Sequence, residues 1–256
     1  MPNHQSQKSV ISEQKTLNGW SEEKINQKLL DLGLTNDQIS DLIPEAKIEI
    51  AKEKKARRVL SFSRSGYNFN GKTDTTNDID LTTVAIDLGS RHGSPYIKVV
   101  STYHWNRMPF FRYRDGFSIS WSEGWYGSSW GFTDQQKKPS YCGEPNGCTY
   151  KWTFTSHYDA SEEDRLAGVG WEYDLTRAAV DAKGTAYVYL EGNNASIIKK
   201  TKYSTFNTWY GHDKGYSNLS INIGIRKKTG VAASVSFGGE SYTTDRISIY
   251  NPNLSY

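Results

Sequence analysis

The sequence predicts a mainly β protein, an antiparallel β-sandwich preceded by a short N-terminal α-helical segment. Three observations carry this. Apolar residues recur with period two from Val59 onward, but with helical spacing through residues 19–58. Turn signals cut the later region into short pieces, as at His92-Gly93-Ser94-Pro95, Asp115-Gly116, Lys183-Gly184 and Gly192-Asn193-Asn194. Aromatics make up 13% of the chain, and seven of its eight tryptophans fall within residues 101–210. Such large side chains offset a hydrophobic content of 36% and a mean hydropathy of −0.70, both low for a packed core.

In chain order, residues 1–18 are polar and read as a disordered tail, 19–58 as the helical segment and 59–256 as the β-domain. The first helix has Ser21 as N-cap, acids in its first turn and Trp20 placed to staple onto Ile25. Ile25, Leu29 and Leu32 share a face, and Gly33 stands where a C-terminal cap belongs. Thr35 and Gln38 form the capping box of a second helix. Pro44 opens a third, expected to run through Glu45–Arg58, whose basic end complements the helix dipole.

Strands are expected at Leu81–Leu88, Tyr96–Tyr103, Phe117–Trp121, Thr149–Thr155, Thr185–Leu190, Leu219–Arg226, Val231–Phe237 and Arg246–Tyr250. A short helix is expected at Ser161–Leu166, where Ser-Glu-Glu-Asp resembles a helix start. Many short, alternating strands with few helices argue an antiparallel sandwich.

The 31 basic and 28 acidic residues nearly balance, which gives no argument for nucleic acid. No apolar run approaches the roughly 18–20 residues of a membrane-spanning helix. Residues 1–18 lack the apolar stretch of a signal peptide, so the chain reads as cytosolic or already processed. The cysteines decide for processing. Cys142 and Cys148 bracket a Pro-Asn-Gly turn between strand-like flanks, which brings them to disulfide distance and implies an oxidising compartment. Zinc would need about four ligands, and no second Cys or His pair completes a set.

Several motifs carry chemistry elsewhere. Gly66–Thr73 matches the phosphate-binding loop letter for letter. The segment after it is β-patterned, however, and Asn70-Gly71 is a hairpin turn pair, so no nucleotide is expected. Asp74, Asp78 and Asp80 could approach calcium, though a solvated turn explains them as well. The five histidines are scattered, and neither a zinc-protease motif nor a nucleophile elbow occurs, so no metal, cofactor or catalytic residue is assigned. In Ser220–Phe237, Ile221, Ile223 and Ile225, then Val231, Ala233, Val235 and Phe237, alternate with small or polar residues about a basic turn. A membrane-inserted hairpin is written this way, although spanning needs about 9–11 residues per strand.

Two short stretches resemble known families. Trp171-Glu172-Tyr173-Asp174-Leu175 resembles the Glu-x-Asp-x-x-Glu signature of laminarinase-type glycoside hydrolases, departing at the third acid, where Arg177 stands. That resemblance implies a carboxylate pair on one face of a strand. The run Gly-Trp-Ser-Glu-Glu-Lys-Ile, with Leu-Gly-Leu-Thr-Asn-Asp-Gln-Ile and Leu-Ile-Pro-Glu, resembles the helical preface of secreted proteins of Gram-positive bacteria. It implies secretion and no activity.

The function expected from the sequence is non-catalytic binding of a glycan or cell surface through exposed aromatics. Trp121, Trp125, Tyr126 and Trp130 are the ligand-binding candidates. A membrane-active toxin or bacteriocin-like protein is the second class, and a glycoside hydrolase the third.

Overall fold

In this computed structural model the described residues are 19–67, 78–110, 114–143, 147–193, 195–212, 221–226, 231–237 and 241–254. For 195, 221–226, 231–237 and 241–244 only the backbone is described. Helix α1 (Glu22–Asp31) begins where the Ser21 hydroxyl accepts a bond from the Lys24 amide at 3.3 Å. The chain leaves it through Gly33 at φ +97°, a conformation L side chains rarely adopt. Helix α2 (Asn36–Asp41) carries the expected capping box, with Thr35 and Gln38 exchanging bonds of 2.9 and 3.2 Å. Helix α3 (Pro44–Ala51) opens on Pro44 but stops seven residues short of Arg58. The Arg57 amide bonds the Asp87 carbonyl at 2.9 Å, and Arg58 already pairs with Asp87 as the start of a strand. Sheet pairing here outcompetes the helix propensity of Lys52–Arg58.

The remainder is mainly strand. β1 (Arg58–Tyr67), β2 (Ile79–Arg91), β3 (Ser94–Trp105), β4 (Arg114–Trp121), β5 (Trp125–Gly143), β6 (Gly147–His157), β7 (Glu162–Asp164), β8 (Gly168–Asp174) and β9 (Asp181–Gly192) precede a short helix, α4 (Ala195–Lys200). β10 (Tyr203–His212), β11 (Ile221–Arg226), β12 (Val231–Phe237) and β13 (Ser241–Tyr250) complete the chain. One antiparallel sheet has the order β1-β2-β3-β9-β5-β6, and a second β13-β10-β4-β8-β7. Among the described residues β11 and β12 pair only with each other.

Ser161–Leu166, expected as a helix, contains β7 instead. The Ser161 amide bonds the Gly170 carbonyl at 2.9 Å, and Glu162 pairs with Gly170. Asp164 then turns the chain, its carboxylate accepting from the Leu166 amide at 2.9 Å. The loop-like motif at Gly66–Thr73 begins as strand, with Gly66 and Tyr67 opposite Asp80 and Ile79. Residues 68–73 lie outside the described residues, as does Asp74.

The facing sides of the two sheets form one core, rich in aromatics: Tyr103, Phe117, Trp121, Trp125, Phe132, Trp171, Phe206 and Tyr210 are all buried in it. Gly184 leaves room for the Tyr103 and Phe132 rings, which a Cβ there would strike. A second core lies on the other face of the first sheet. There α1–α3 bury Ile25, Leu29, Leu32, Ile39, Ala46 and Ile50 against Val84, Ile86, Leu88 and Val100. The helices thus share a core with the sheet. Two buried lysines fasten them: Lys98 Nζ lies 2.7 Å from a Glu49 carboxylate oxygen, and Lys183 Nζ 3.0 Å from that of Glu45.

Burial raises the phenol pKa of Tyr103, Tyr173 and Tyr210 well above its ordinary value. An unfolded chain ionises these groups near about pH 10, whereas the fold keeps them protonated. The associated stability is fully present below that pH and is lost as pH rises above it. Lys98 works with the opposite sign. Burial lowers its pKa, which costs stability at neutral pH, and that cost is relieved as pH approaches 10.5. Above about pH 10.5 the Lys98 contribution no longer changes while the phenols go on losing theirs, so stability should fall there. Ultraviolet difference absorbance checks this. The three buried tyrosines should ionise only together with unfolding, and ionisation of all 17 tyrosines with the fold intact would contradict it.

Candidate functional site

The sequence-predicted aromatics divide between core and surface. Trp121 and Trp125 are fully buried, which corrects their assignment as surface ligand-binding residues. The Trp125 indole donates to Ser204 Oγ at 2.8 Å and meets Phe206 edge-on, centroids 5.8 Å apart. Inward pleating at both positions leaves neither ring a face to offer a ligand. Tyr126 and Trp130 are half-buried. Arg165 covers them, its guanidinium carbon 5.7 Å from the Tyr126 ring and 4.8 Å from that of Trp130. The same guanidinium donates to the Gly127 carbonyl at 3.2 Å, which fixes it there.

An aromatic row open to solvent lies elsewhere, on β6, the edge strand of the six-stranded sheet. Alternating Tyr150, Trp152 and Phe154 share one side of the strand. Tyr150 is 46% and Phe154 62% exposed, with Trp152 half-buried between them. Strand rise puts neighbouring members about 6.7 Å apart. Lys183 Nζ sits 4.6 Å from the centre of the Trp152 ring and is itself held by Glu45. A cation anchored from α3 therefore orients the central ring. Density of tryptophan drew the expectation to residues 121–130. The signal it passed over was Tyr150-Lys151-Trp152-Thr153-Phe154, a period-two aromatic row inside a strand already expected.

A disulfide secures this row. Cys142 and Cys148 stand opposite each other where β5 and β6 end and are bonded, with Cα atoms 4.0 Å apart. Among the described residues β6 pairs only with β5, and it is exposed along most of its length. The bridge closes the end of that ribbon, restricting an arm that little core packing supports.

On its other side the ribbon borders a cleft of about 570 Å³ between the two sheets. Phe132 points into the core, so Asp134 and Gln136 project from the same side of β5. Asp134 Oδ1 pairs with His157 Nε2 at 2.7 Å and Asp134 Oδ2 accepts from Gln136 Nε2 at 3.0 Å. Gln136 also donates to the Asp174 carbonyl at 2.8 Å and accepts from the Thr176 amide at 2.9 Å. The His157 ring stacks on Phe132, centroids 5.1 Å apart. Across the cleft are Glu172 and Asp174, the pair singled out from the sequence. Arg114 reaches both, at 3.4 Å from Glu172 and 4.0 Å from Asp174.

Asp78 and Asp80, considered for calcium, have cationic neighbours: Arg64 lies 2.9 Å from Asp80 and Arg107 3.7 Å from Asp78. Among the described residues no group of three or more His, Cys, Asp or Glu side chains is placed to hold a metal. No described helix is long and apolar enough to cross a membrane.

No protein-family model matches the chain, and neither does any curated protein. Among solved structures, one on pH-induced modulation of Streptococcus parasanguinis adhesion by Fap1 fimbriae overlaps 74% of this chain and 89% of its own, with 8% identity and a TM-score of 0.30. The enzymatically active domain of bacteriophage CBA120 tailspike protein 4 overlaps 52% of this chain and 18% of its own, with 6% identity and a TM-score of 0.19. Overlaps this loose carry no argument.

Proposed function

We propose that this is a secreted β-sandwich protein of the Gram-positive type. In this reading it binds a cell-surface or extracellular polysaccharide without cleaving it, through the aromatic row of the β5–β6 arm. The observation that carries the reading is Tyr150, Trp152 and Phe154 side by side on an exposed edge strand. Flat ring faces pack on the apolar C–H faces of sugars, and a linear row suits a linear chain. The Cys142–Cys148 bridge supports an extracellular setting, because such bonds persist where the environment is oxidising.

Retention on insoluble cellulose, chitin and peptidoglycan tests it. Wild-type protein should be retained by at least one of these. Trp152→Ala and Phe154→Ala should each weaken retention roughly tenfold, the loss expected when one large side chain no longer buries its area. Both variants should keep their stability to within about 1 kcal/mol, since the row lies outside the core. Retention unchanged in both variants would refute the row as the binding surface.

A second reading rests on β11 and β12. They form a two-stranded sheet bonded to neither main sheet, with Ile221 opposite Phe237 and Ile223 opposite Val235 in register. A hairpin that runs beside β4, β7 and β8 without hydrogen-bonding to them, with apolar residues paired in register, suits membrane contact. Dye release from liposomes on addition of the protein, without retention on any polysaccharide, would favour this toxin-like reading.

A further inference from the structure

The geometry points to a second binding site: the inter-sheet cleft takes a short neutral saccharide of one or two rings, separately from the aromatic row. Its volume of about 570 Å³ lies in the range of small-ligand sites. Its floor is built in advance of any ligand. Asp134 is almost wholly buried and has both carboxylate oxygens engaged, one by His157 and one by Gln136. Gln136, buried as well, is clamped by its bonds to Asp174 and Thr176. The imidazole is fixed in turn by its stack on Phe132. Groups locked this way lose little freedom when a ligand arrives.

Charge selects the ligand class. Three carboxylates, those of Asp134, Glu172 and Asp174, line the cleft against two cations, Arg114 and Lys138, and this acidic excess disfavours phosphates and other polyanions. Metal is not favoured either, since these acids form no ligating group of three. A sugar hydroxyl donates one hydrogen bond and accepts two. Neighbouring hydroxyls can therefore donate to the exposed Asp174 carboxylate and the half-buried Glu172 carboxylate while accepting from the Arg114 guanidinium. Arg114 spans Glu172 and Asp174 at the rim, more than half exposed, and so is placed to exchange solvent for ligand. A neutral polyol is the ligand class that uses acceptors and donors together with no charge of its own to bury.

A nuclear magnetic resonance titration with single sugars tests this. The probes are glucose, galactose, N-acetylglucosamine, maltose, cellobiose and diacetylchitobiose, with inorganic phosphate and calcium chloride as comparisons. The His157 imidazole and the Thr155 and Ser161 amides report on the cleft. At least one sugar should shift these signals saturably, with a dissociation constant in the millimolar range or tighter. Arg114→Ala and Glu172→Gln should each weaken that binding about tenfold or more, as expected for hydrogen bonds to charged groups. Retention of the wild-type melting temperature shows that the loss is local. The site is overturned if no sugar in the panel saturates these signals, if both folded variants bind as wild type does, or if phosphate or calcium saturates them instead. The aromatic row is read by retention on insoluble polysaccharide, so either site can fail without the other.

Discussion

Trp125→Ala should destabilise the protein by about 3–5 kcal/mol. The indole is fully buried, so its removal loses transfer energy and leaves a cavity between the two sheets. It also strands the Ser204 hydroxyl, which accepts from the indole at 2.8 Å, and removes the edge contact with Phe206. Against a typical total of about 5–15 kcal/mol, this consumes much of the stability. For a chain of this size the melting temperature should fall by roughly 6–20 °C. Scanning calorimetry with denaturant titration measures it. A change below about 1 kcal/mol would mean that Trp125 is not a core residue. Phe154→Ala supplies the contrast, because both changes delete a large aromatic ring from the same sheet. Only one of the two rings is inside.

Lys98→Ala should cost a similar amount, about 3–5 kcal/mol, by a different route. The Lys98 ammonium is fully buried between α3 and the first sheet. It donates to the Glu49 carbonyl at 3.1 Å and to the Glu49 carboxylate at 2.7 Å, and lies 3.8 Å from Glu53. The rings of Tyr187 and Tyr189 flank it at 5.1 and 4.8 Å. Removing the cation leaves Glu49, largely buried, with only Lys52 to oppose its charge, and takes from Glu53 the cation 3.8 Å away. The double variant Lys98→Met with Glu49→Gln should recover most of the loss, because a neutral pair of similar volume strands no charge. Chemical denaturation of wild type and both variants decides this. A double variant no more stable than Lys98→Ala would show that the intact ion pair itself, and not only the avoidance of a stranded charge, fastens α3.

What could be read from the sequence obeyed local physics. Ser21, Thr35, Gln38 and Gly33 set helix ends through bonds and turns made within a few residues, Pro44 does so through its fixed φ, and each acts as expected. The disulfide is likewise local, two cysteines across a tight turn. The errors came where distant pairing overrode local preference. α3 gave up its last turns because Asp87, about thirty residues on, offered Arg57 and Arg58 a strand partner. Ser161–Leu166 became β7 because β8 lay beside it.

The aromatic assignment failed for a related reason. Alternation says which residues share a face, but not which face meets the core. That depends on strand order. Trp121 lies on β4, a central strand of the smaller sheet, whereas Trp152 lies on β6, an edge. Strand order is set by pairing between segments far apart in sequence, and no short motif records it. Of the cleft, Glu172 and Asp174 were visible as a pair. Arg114, Asp134 and His157 join them only because β4, β5 and β6 converge there.

Oxidative footprinting read by mass spectrometry tests the binding surface most directly. The protein is oxidised alone and in the presence of the polysaccharide that retains it, and modification is compared at Tyr150, Trp152, Phe154 and Trp130. The account predicts protection at Tyr150, Trp152 and Phe154 and unchanged modification at Trp130. Protection confined to Trp130 and Tyr126, or no protection of the β6 row while the protein stays bound, would contradict it.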